Sequence, residues 1–364
     1  MLKYFDKLEI EYNESDNTLH IPSFRQDLLR TCDMAEEVAR FYGYDKIPVT
    51  LPSGESTSGK LSFKLRVESV AREVAQFCGF SQSMNYSFES PKAFDKLLVP
   101  ENSDLRQAIR ILNPLGQDFS IMKTQALNGM LTSLATNYNR KNKNVRLYEI
   151  GNIYIPKALP LTELPDERTQ FTLGMYGDGD FFTMKGVVEE FFEKAGLDGR
   201  ITYDPEDKKS FLHPGRQADI IYDGVKVGYL GEVHPQVCEN YNIGDRVYYA
   251  DIDMPYIVEH ACFDKKYEGI AKFPTSTRDI SLVVDKQVLI GTMENAIIKK
   301  GGKLLESCEL FDIYEGEQVG EGKKSVAFSL VFRAKDRTLS DTEISEIMDK
   351  ILAELTGLGA VLRQ

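Results

Sequence analysis

The clearest alternation of apolar and polar positions lies in residues 109–156. Isoleucines ahead of the Asn113-Pro114 break predict a short strand and its end. Apolar residues then recur at steps of three and four, which is typical of one helix face, and Thr124 fits the N-cap. The residues of this face are Leu127, Met130, Leu131, Leu134 and Tyr138. Alternation over 145–153 predicts a second strand, so the segment reads strand, helix, strand.

The same patterns extend over the rest of the chain. Strands are predicted over 8–12, 19–22, 84–88, 169–176 and 246–252, and helices over 67–78 and 181–195. Asp223-Gly224, between two apolar runs, is the strongest hairpin signal. The helix over 67–78 carries an apolar stripe, which fits packing on a sheet.

The last part of the chain has a pattern of its own. It reads strand (280–284), helix (293–300), strand (304–314), strand (325–332), helix (341–355) and strand (360–362). The order βαββαβ is typical of ferredoxin-like folds. Ser340 and Glu343 have the spacing of a capping box at the start of the second helix. We therefore expect an α+β multidomain protein with a C-terminal ferredoxin-like domain.

Composition narrows the class of protein. A length of 364 residues predicts two or three domains. The net charge of −12 argues against a protein that coats nucleic acid non-specifically. Five scattered cysteines without a C-x-x-C pair indicate neither a zinc site nor a disulfide framework. With no signal peptide and no apolar run of membrane-spanning length, we expect a cytoplasmic protein without a membrane partner.

One predicted helix carries a cluster of carboxylates. Asp33, Glu36 and Glu37 are spaced i, i+3 and i+4, so they share one helix face, and Asp27 lies just upstream. Carboxylates brought together repel each other unless a cation neutralises them, and oxygen ligands suit magnesium. The alternative is a solvated face with a Glu36–Arg40 ion pair, which the spacing alone favours.

Several segments together resemble one family. They are HIPSFRQDLLRTCDMAEEVARFYGYDKIP, IMKTQALNGMLTSLATNYNR…LYEIGNIY, FLHPGRQADIIYDGVKVGYLGEVHP, KFPTSTRDISLVV, VFRAKDRTLSDTEI and GAVLR. They resemble the bacterial phenylalanine–tRNA ligase beta subunit over nearly the whole chain. The family usually has an arginine where this chain has Lys123, a swap that we interpret as tolerable at a surface position.

The resemblance implies three domains. Residues 1–52 would be the end of a magnesium-carrying, subunit-interface domain. Residues 60–258 would be a catalytically inactive class II synthetase-like module, an antiparallel sheet with flanking helices. Residues 271–364 would be a ferredoxin-fold anticodon-binding domain. Because Met1 falls within the first of these domains, we expect a C-terminal fragment that lacks the family's N-terminal tRNA-binding and editing domains and cannot proofread.

The resemblance also implies partners and sites. It implies an alpha subunit that attaches phenylalanine to its tRNA with ATP, in an assembly of two alpha and two beta chains. It assigns magnesium to Asp27, Asp33, Glu36 and Glu37, near the alpha interface. The resemblance therefore favours the magnesium site over the solvated face that spacing alone favours. Residues 272–364 have 13 basic and 15 acidic residues and are thus less repelled by phosphate than the rest. The candidate tRNA-binding residues are Phe273, Arg278, Lys299, Lys300, Arg333, Lys335 and Arg337.

Catalysis by this chain alone is not expected. A class II site needs an arginine for the ATP α-phosphate and a glycine-rich strand that leads to a second arginine. The strand around Glu149 offers no inward arginine, and Gly177-Asp178-Gly179 fits a turn. His213, Glu232 and His234 fit strand ends better than a metal site. The alternatives are a stand-alone RNA-binding paralogue without an alpha partner and a ligase with its own adenylation site.

Overall fold

The structure, a computed structural model, describes residues 1–197, 201–267, 269–316 and 319–363. The chain forms two compact units, residues 1–60 and 61–364, which we call the N-terminal and the C-terminal unit. Helices and antiparallel sheets occur in both, which confirms the α+β class. Within the described residues, no helix is both long and apolar enough to cross a bilayer.

The N-terminal unit is a hairpin between two helices. It contains α1 (Leu2–Lys7), β1 (Glu11–Asn13), β2 (Thr18–His20) and α2 (Thr31–Tyr42). Phe5, Ile10 and Leu28 form its small core. The predicted strand over 8–12 is wrong in part, because a helix precedes a strand of only three residues. Gly43 follows α2 with φ +102°, a conformation that favours glycine, and so ends the helix.

A seven-stranded sheet is the centre of the C-terminal unit. Its order is β3 (Ser81–Gln82), β6 (Val145–Ile155), β7 (Asp166–Tyr176), β11 (Val247–Asp253), β10 (Val225–Val233), β9 (Leu212–Tyr222), β8 (Ile201–Asp204). All neighbours are antiparallel except β3 and β6. The hairpin of β9 and β10 turns at Asp223-Gly224, where both residues have positive φ, as the sequence predicts.

Helices cover both faces of this sheet. α3 (Phe63–Phe77), α6 (Phe181–Lys194) and α8 (Met254–His260) contribute to the core on one face. α5 (Leu127–Asn139) and α7 (Pro235–Asn240) contribute to the core on the other. The stripe of α3 packs in the first core, with Val67 and Ala71 fully buried. The short elements α4 (Lys92–Lys96), β4 (Phe88–Glu89) and β5 (Ile121–Met122) lie between α3 and α5 in the chain.

The helix α5 confirms the periodic pattern and corrects its cap. Leu127, Met130, Leu131 and Leu134 are fully buried. Thr124 is not the N-cap: its hydroxyl donates to the Leu105 carbonyl, and Gln125 Oε1 accepts from the first helical amides instead. The predicted strand over 84–88 is also wrong, because only β4, at its end, is extended and paired.

The ferredoxin-like domain has the predicted order. Its elements are β12 (Ser276–Asp285), α9 (Ile290–Gly301), β13 (Leu305–Tyr314), β14 (Lys323–Phe332), α10 (Asp341–Gly357) and β15 (Val361–Leu362). The antiparallel sheet has the order β13-β14-β12-β15. α9 and α10 bury their apolar residues against one face. The capping box of Ser340 and Glu343 is present.

Candidate functional site

Arg25 joins two of the four carboxylates that the sequence assigns to a metal. The Asp27 carboxylate accepts from Arg25 Nε at 3.0 Å and from Nη2 at 2.7 Å. Glu37, on the buried side of α2, accepts from Arg25 Nη2 at 2.8 Å and from Arg40 Nη2 at 2.5 Å. These arginines lower the pKa of Asp27 and Glu37. One guanidinium therefore lies between the two carboxylates.

The other two carboxylates of this set have different surroundings. Asp33 is the third residue of α2, and its Oδ2 accepts from the backbone amides of Leu29 at 2.8 Å and Arg30 at 2.6 Å. These amides lower the pKa of Asp33. Glu36 is exposed. The alternative prediction, an ion pair between Glu36 and Arg40, is wrong, because Arg40 pairs with Glu37 instead.

The donors of this chain do not fit a magnesium ion as they stand. A magnesium site needs oxygen ligands that converge on one point. The oxygens of Asp27 and Glu37 face arginines, and Asp33 faces backbone amides. Among the residues that the structure describes, no group of three or more histidine, cysteine, aspartate or glutamate side chains could hold a metal. The assigned magnesium residues stay a prediction.

A line of polar residues crosses the sheet face that α5 covers. Strand register places Glu149 of β6 opposite Thr172 of β7, and Thr172 opposite Asp251 of β11. Asp251 is opposite Tyr229 of β10, which is opposite Asp219 of β9. Because neighbouring strands present paired residues on the same face, these five side chains form one row, which we call the polar row.

Lys123 belongs to this buried face. It is 5% exposed, so the interpretation of residue 123 as a surface position is wrong. Its Nζ lies 3.3 Å from Glu149 Oε1. Glu149 also accepts from the Asn85 backbone amide at 3.2 Å and from Asn85 Nδ2 at 2.8 Å. The positive charge of Lys123 is thus already matched by a buried carboxylate.

Two further acids are buried near Lys123. Asp251 Oδ2 accepts from the hydroxyls of Tyr249 at 2.9 Å and Tyr229 at 3.2 Å. Burial nevertheless raises the pKa of Asp251 to about 7. Glu89 accepts from Asn128 Nδ2 at 2.7 Å, and burial raises its pKa to about 7 as well. The face is therefore rich in carboxyl groups.

Among the residues that the structure describes, the cations of this region contact protein groups and do not converge on a phosphate site. Lys209 Nζ lies 2.8 Å from Asp219 at the other end of the polar row. Arg146 of β6 alternates with Glu149, so it belongs to the opposite face, where it donates to the Cys78 carbonyl at 3.1 Å. Gly177 follows β7 with φ +99°, as expected for a turn.

Most of the predicted tRNA-binding cations have acidic partners. The ion pairs are Arg278–Asp341 at 2.8 Å, Lys300–Glu354 at 3.0 Å, Arg333–Glu306 at 2.8 Å and Arg337–Glu343 at 2.5 Å. Lys299 and Lys335 are exposed, and Phe273 is half-buried just before β12. These pairs reduce the positive potential that the clusters in the sequence predict.

The open face of the ferredoxin-like sheet carries an aromatic and an arginine that sequence reasoning missed. The Arg363 guanidinium lies 5.7 Å from the centre of the Tyr314 ring. Ser281 and Ser325 lie beside them, with hydroxyl oxygens 3.3 Å apart, and Arg363 N donates to the Ser281 carbonyl at 2.9 Å. Alternation along β13 and β14 could have shown which of their residues face away from the helices. Only the strand register places Tyr314 beside Ser325.

The strand-end histidines have structural partners. His213 Nδ1 accepts from the Gly215 amide at 3.1 Å, and His234 Nδ1 accepts from the Gln236 amide at 3.1 Å. Glu232, buried beside them, accepts from Arg216 Nη1 at 2.9 Å. These contacts agree with the interpretation of this segment as a hairpin end.

Three family models match successive parts of the chain. Family models match in the order tRNA synthetase B5 domain (1–44), Phenylalanyl tRNA synthetase beta chain CLM domain (47–254) and Ferredoxin-fold anticodon binding domain (271–363). The phenylalanine–tRNA ligase beta subunit of Clostridium acetobutylicum is 44% identical over 100% of this chain and 46% of the relative. That of Clostridium tetani is 41% identical over the same shares. That of Symbiobacterium thermophilum is 36% identical over 94% of this chain and 39% of the relative. The chain spans about half the length of the curated relatives it matches.

Proposed function

The chain belongs to the phenylalanine–tRNA ligase beta subunit family, and on that premise we propose that it acts as a non-catalytic part of the ligase. In this role it supports the alpha subunit that attaches phenylalanine to its tRNA with ATP. The observation that carries the proposal is the 44% identity to a beta subunit over the whole chain. The relatives are named as ligase subunits, so the alternative of a stand-alone RNA-binding paralogue is not favoured.

The polar row supports the absence of catalysis by this chain alone. The face of the central sheet that α5 covers carries Glu149, Asp251 and Asp219. The nearby cations, Lys123 and Lys209, are paired with two of these acids. Buried carboxylates repel phosphate, and breaking either pair to free a lysine leaves a buried charge uncompensated. ATP–pyrophosphate exchange by the purified chain is expected to be at background, and measurable exchange would contradict the proposal.

The open sheet face supports a contact with unpaired tRNA bases. Unpaired bases are recognised by stacking on aromatic rings and guanidinium planes, with hydrogen bonds to base edges. Tyr314 and Arg363 offer the stacking surfaces, and the hydroxyl of the half-buried Ser281 can bind a base edge. Lys299 and Lys335 remain proposed contacts to phosphates, because both are exposed.

The tRNA contact can be tested with a labelled anticodon stem-loop. Binding by the full chain is measured by fluorescence anisotropy at several salt concentrations. Tyr314→Ala is expected to weaken binding at every salt concentration, because the lost stacking is not electrostatic. Lys299→Gln is expected to reduce the salt dependence instead, because it removes a phosphate contact. Unchanged binding by both variants would contradict this assignment.

The partner and the cofactor belong to one further proposal. We place the chain in an assembly of two alpha and two beta chains, with magnesium at Asp33 and Glu36 only where another chain adds oxygen ligands. The exposure of Glu36 and the i, i+3 spacing support this placement. Light scattering of the chain mixed with alpha subunit, with and without magnesium, tests it. Asp33 and Glu36 replaced together by alanine should weaken the complex, and an unchanged complex would count against it.

A further inference from the structure

We infer that Arg25 takes the place of a metal in this chain. Arg25 and Arg40 neutralise the acidic face of α2 from within the N-terminal unit, and a divalent cation can use Asp27 and Glu37 only by displacing Arg25. This inference concerns the chain by itself and holds whether or not the proposed ligase function is correct.

The Arg25 contacts have the geometry of a built ion-pair network. Arg25 Nε and Nη2 contact separate oxygens of Asp27 at 3.0 and 2.7 Å, a two-point contact that matches the planar fork of the guanidinium. The same Nη2 reaches Glu37 Oε1 at 2.8 Å. The Glu37 side chain is 9% exposed and that of Arg25 19% exposed, so water screens this bridge less than an ordinary surface pair.

Both oxygens of Glu37 are in use. Arg40 Nη2 contacts Oε2 at 2.5 Å while Arg25 contacts Oε1. Asp33 is held at the start of α2 by two backbone amides. A magnesium ion demands near-octahedral oxygen ligands at about 2.0–2.1 Å, which lies inside the space that the arginine hydrogens occupy. The metal and Arg25 are therefore alternative partners of the same carboxylates.

Displacing Arg25 has a free-energy cost that the metal must overcome. The freed guanidinium would lose both of its carboxylate partners, and loss of the partners of a half-buried ion pair is destabilising. Magnesium also gives up its bound water reluctantly. We therefore expect the affinity of the chain for magnesium at α2 to be set by Arg25, and to rise when Arg25 is removed.

Manganese binding measured by electron paramagnetic resonance tests this inference, with Mn²⁺ as the probe and the full 364-residue chain as the sample. The unaltered chain is expected to bind Mn²⁺ at α2 no tighter than on the order of millimolar. Arg25→Gln should tighten binding by about tenfold or more. Adding Asp27→Asn and Glu37→Gln to that variant should abolish the gain, which assigns it to these carboxylates.

Lys7→Gln is the matched control, because it removes one exposed positive charge from the same unit. It should leave Mn²⁺ binding unchanged. Arg25→Lys keeps the charge but not the planar fork, so its affinity for Mn²⁺ should lie between those of the unaltered chain and Arg25→Gln. Circular dichroism checks that each variant folds. Two results would overturn the inference. One is micromolar Mn²⁺ binding by the unaltered chain that is lost in Glu37→Gln, and the other is equal Mn²⁺ affinity of the unaltered chain and a folded Arg25 variant.

Discussion

Replacing Lys123 by methionine isolates the buried pair with Glu149. Methionine keeps most of the apolar stem of Lys123 but removes the ammonium that lies 3.3 Å from Glu149 Oε1. Removal of one partner from a buried ion pair costs about 3–5 kcal/mol, because the other charge is left uncompensated. Glu149 keeps two hydrogen bonds from Asn85, so we expect the lower end, about 3 kcal/mol at neutral pH.

The measurement is urea unfolding followed by tyrosine fluorescence, since the chain has 18 tyrosines and no tryptophan. A second variant combines Lys123→Met with Glu149→Gln, so that neither charge remains in the sheet. Replacing a buried pair with neutral groups is often nearly neutral, and the double variant should recover to within about 1 kcal/mol of the unaltered chain. The coupling between the two single changes should therefore exceed about 1.5 kcal/mol.

Two results would refute this account of Lys123. One is a change of less than about 0.5 kcal/mol for Lys123→Met, the range of ordinary surface substitutions. The other is a double variant whose loss equals the sum of the two single losses, which would mean that Lys123 and Glu149 act independently.

The remaining predictions concern pH, helix capping and RNA. Burial raises the pKa of Asp251 from 3.8 and that of Glu89 from 4.5, each to about 7, so the folded state binds these two protons more tightly than the unfolded state. This contribution to stability is complete below the unfolded pKa values and is lost as pH rises through about 7. The urea concentration at the unfolding midpoint should therefore decrease as pH is raised from about 5 to 8, and Asp251→Asn should make this decrease smaller. Ser340→Ala should destabilise the ferredoxin-like domain by about 1 kcal/mol through loss of the capping box, as thermal unfolding would report; an unchanged midpoint would mean that the cap is not needed. Tyr314→Ala and Arg363→Ala should each weaken stem-loop binding by about 1–3 kcal/mol in anisotropy titrations, and wild-type affinity for both would exclude this face.

Much of the fold could be predicted from the sequence, because the apolar residues of each long helix or strand recur at the spacing typical of that element. The face of α5, the hairpin at Asp223-Gly224 and the βαββαβ order all follow from local patterns. The failures lie where elements are short. α1 has six residues and β4 two, so packing rather than periodicity decides their conformation. Thr124 fails as a cap because Gln125 also offers an oxygen to the first amides.

The partners of the candidate site residues could not be predicted in the same way. Arg25 and Glu37 are twelve residues apart, and the loop between them decides whether the guanidinium reaches the helix. Lys123 and Glu149 lie twenty-six residues apart in the chain. Lys123 is buried only because its segment packs on the sheet that contains Glu149. Spacing identifies which carboxylates share a helix face. It does not reveal which cation reaches them, because that depends on tertiary contacts.

The polar row gives a physical reason for the proposed inactivity of this sheet that does not depend on one missing arginine. An arginine introduced at Thr172 would stand between Glu149 and Asp251 and would pair with one of these acids before it met a phosphate. Lys123 and Lys209 already show this behaviour with Glu149 and Asp219. A triphosphate site would require several acids to be replaced together, and the tyrosines that donate to Asp251 would lose their acceptor. The hydrogen bonds and ion pairs that stabilise this face would thus also oppose ATP binding, as the proposed function requires.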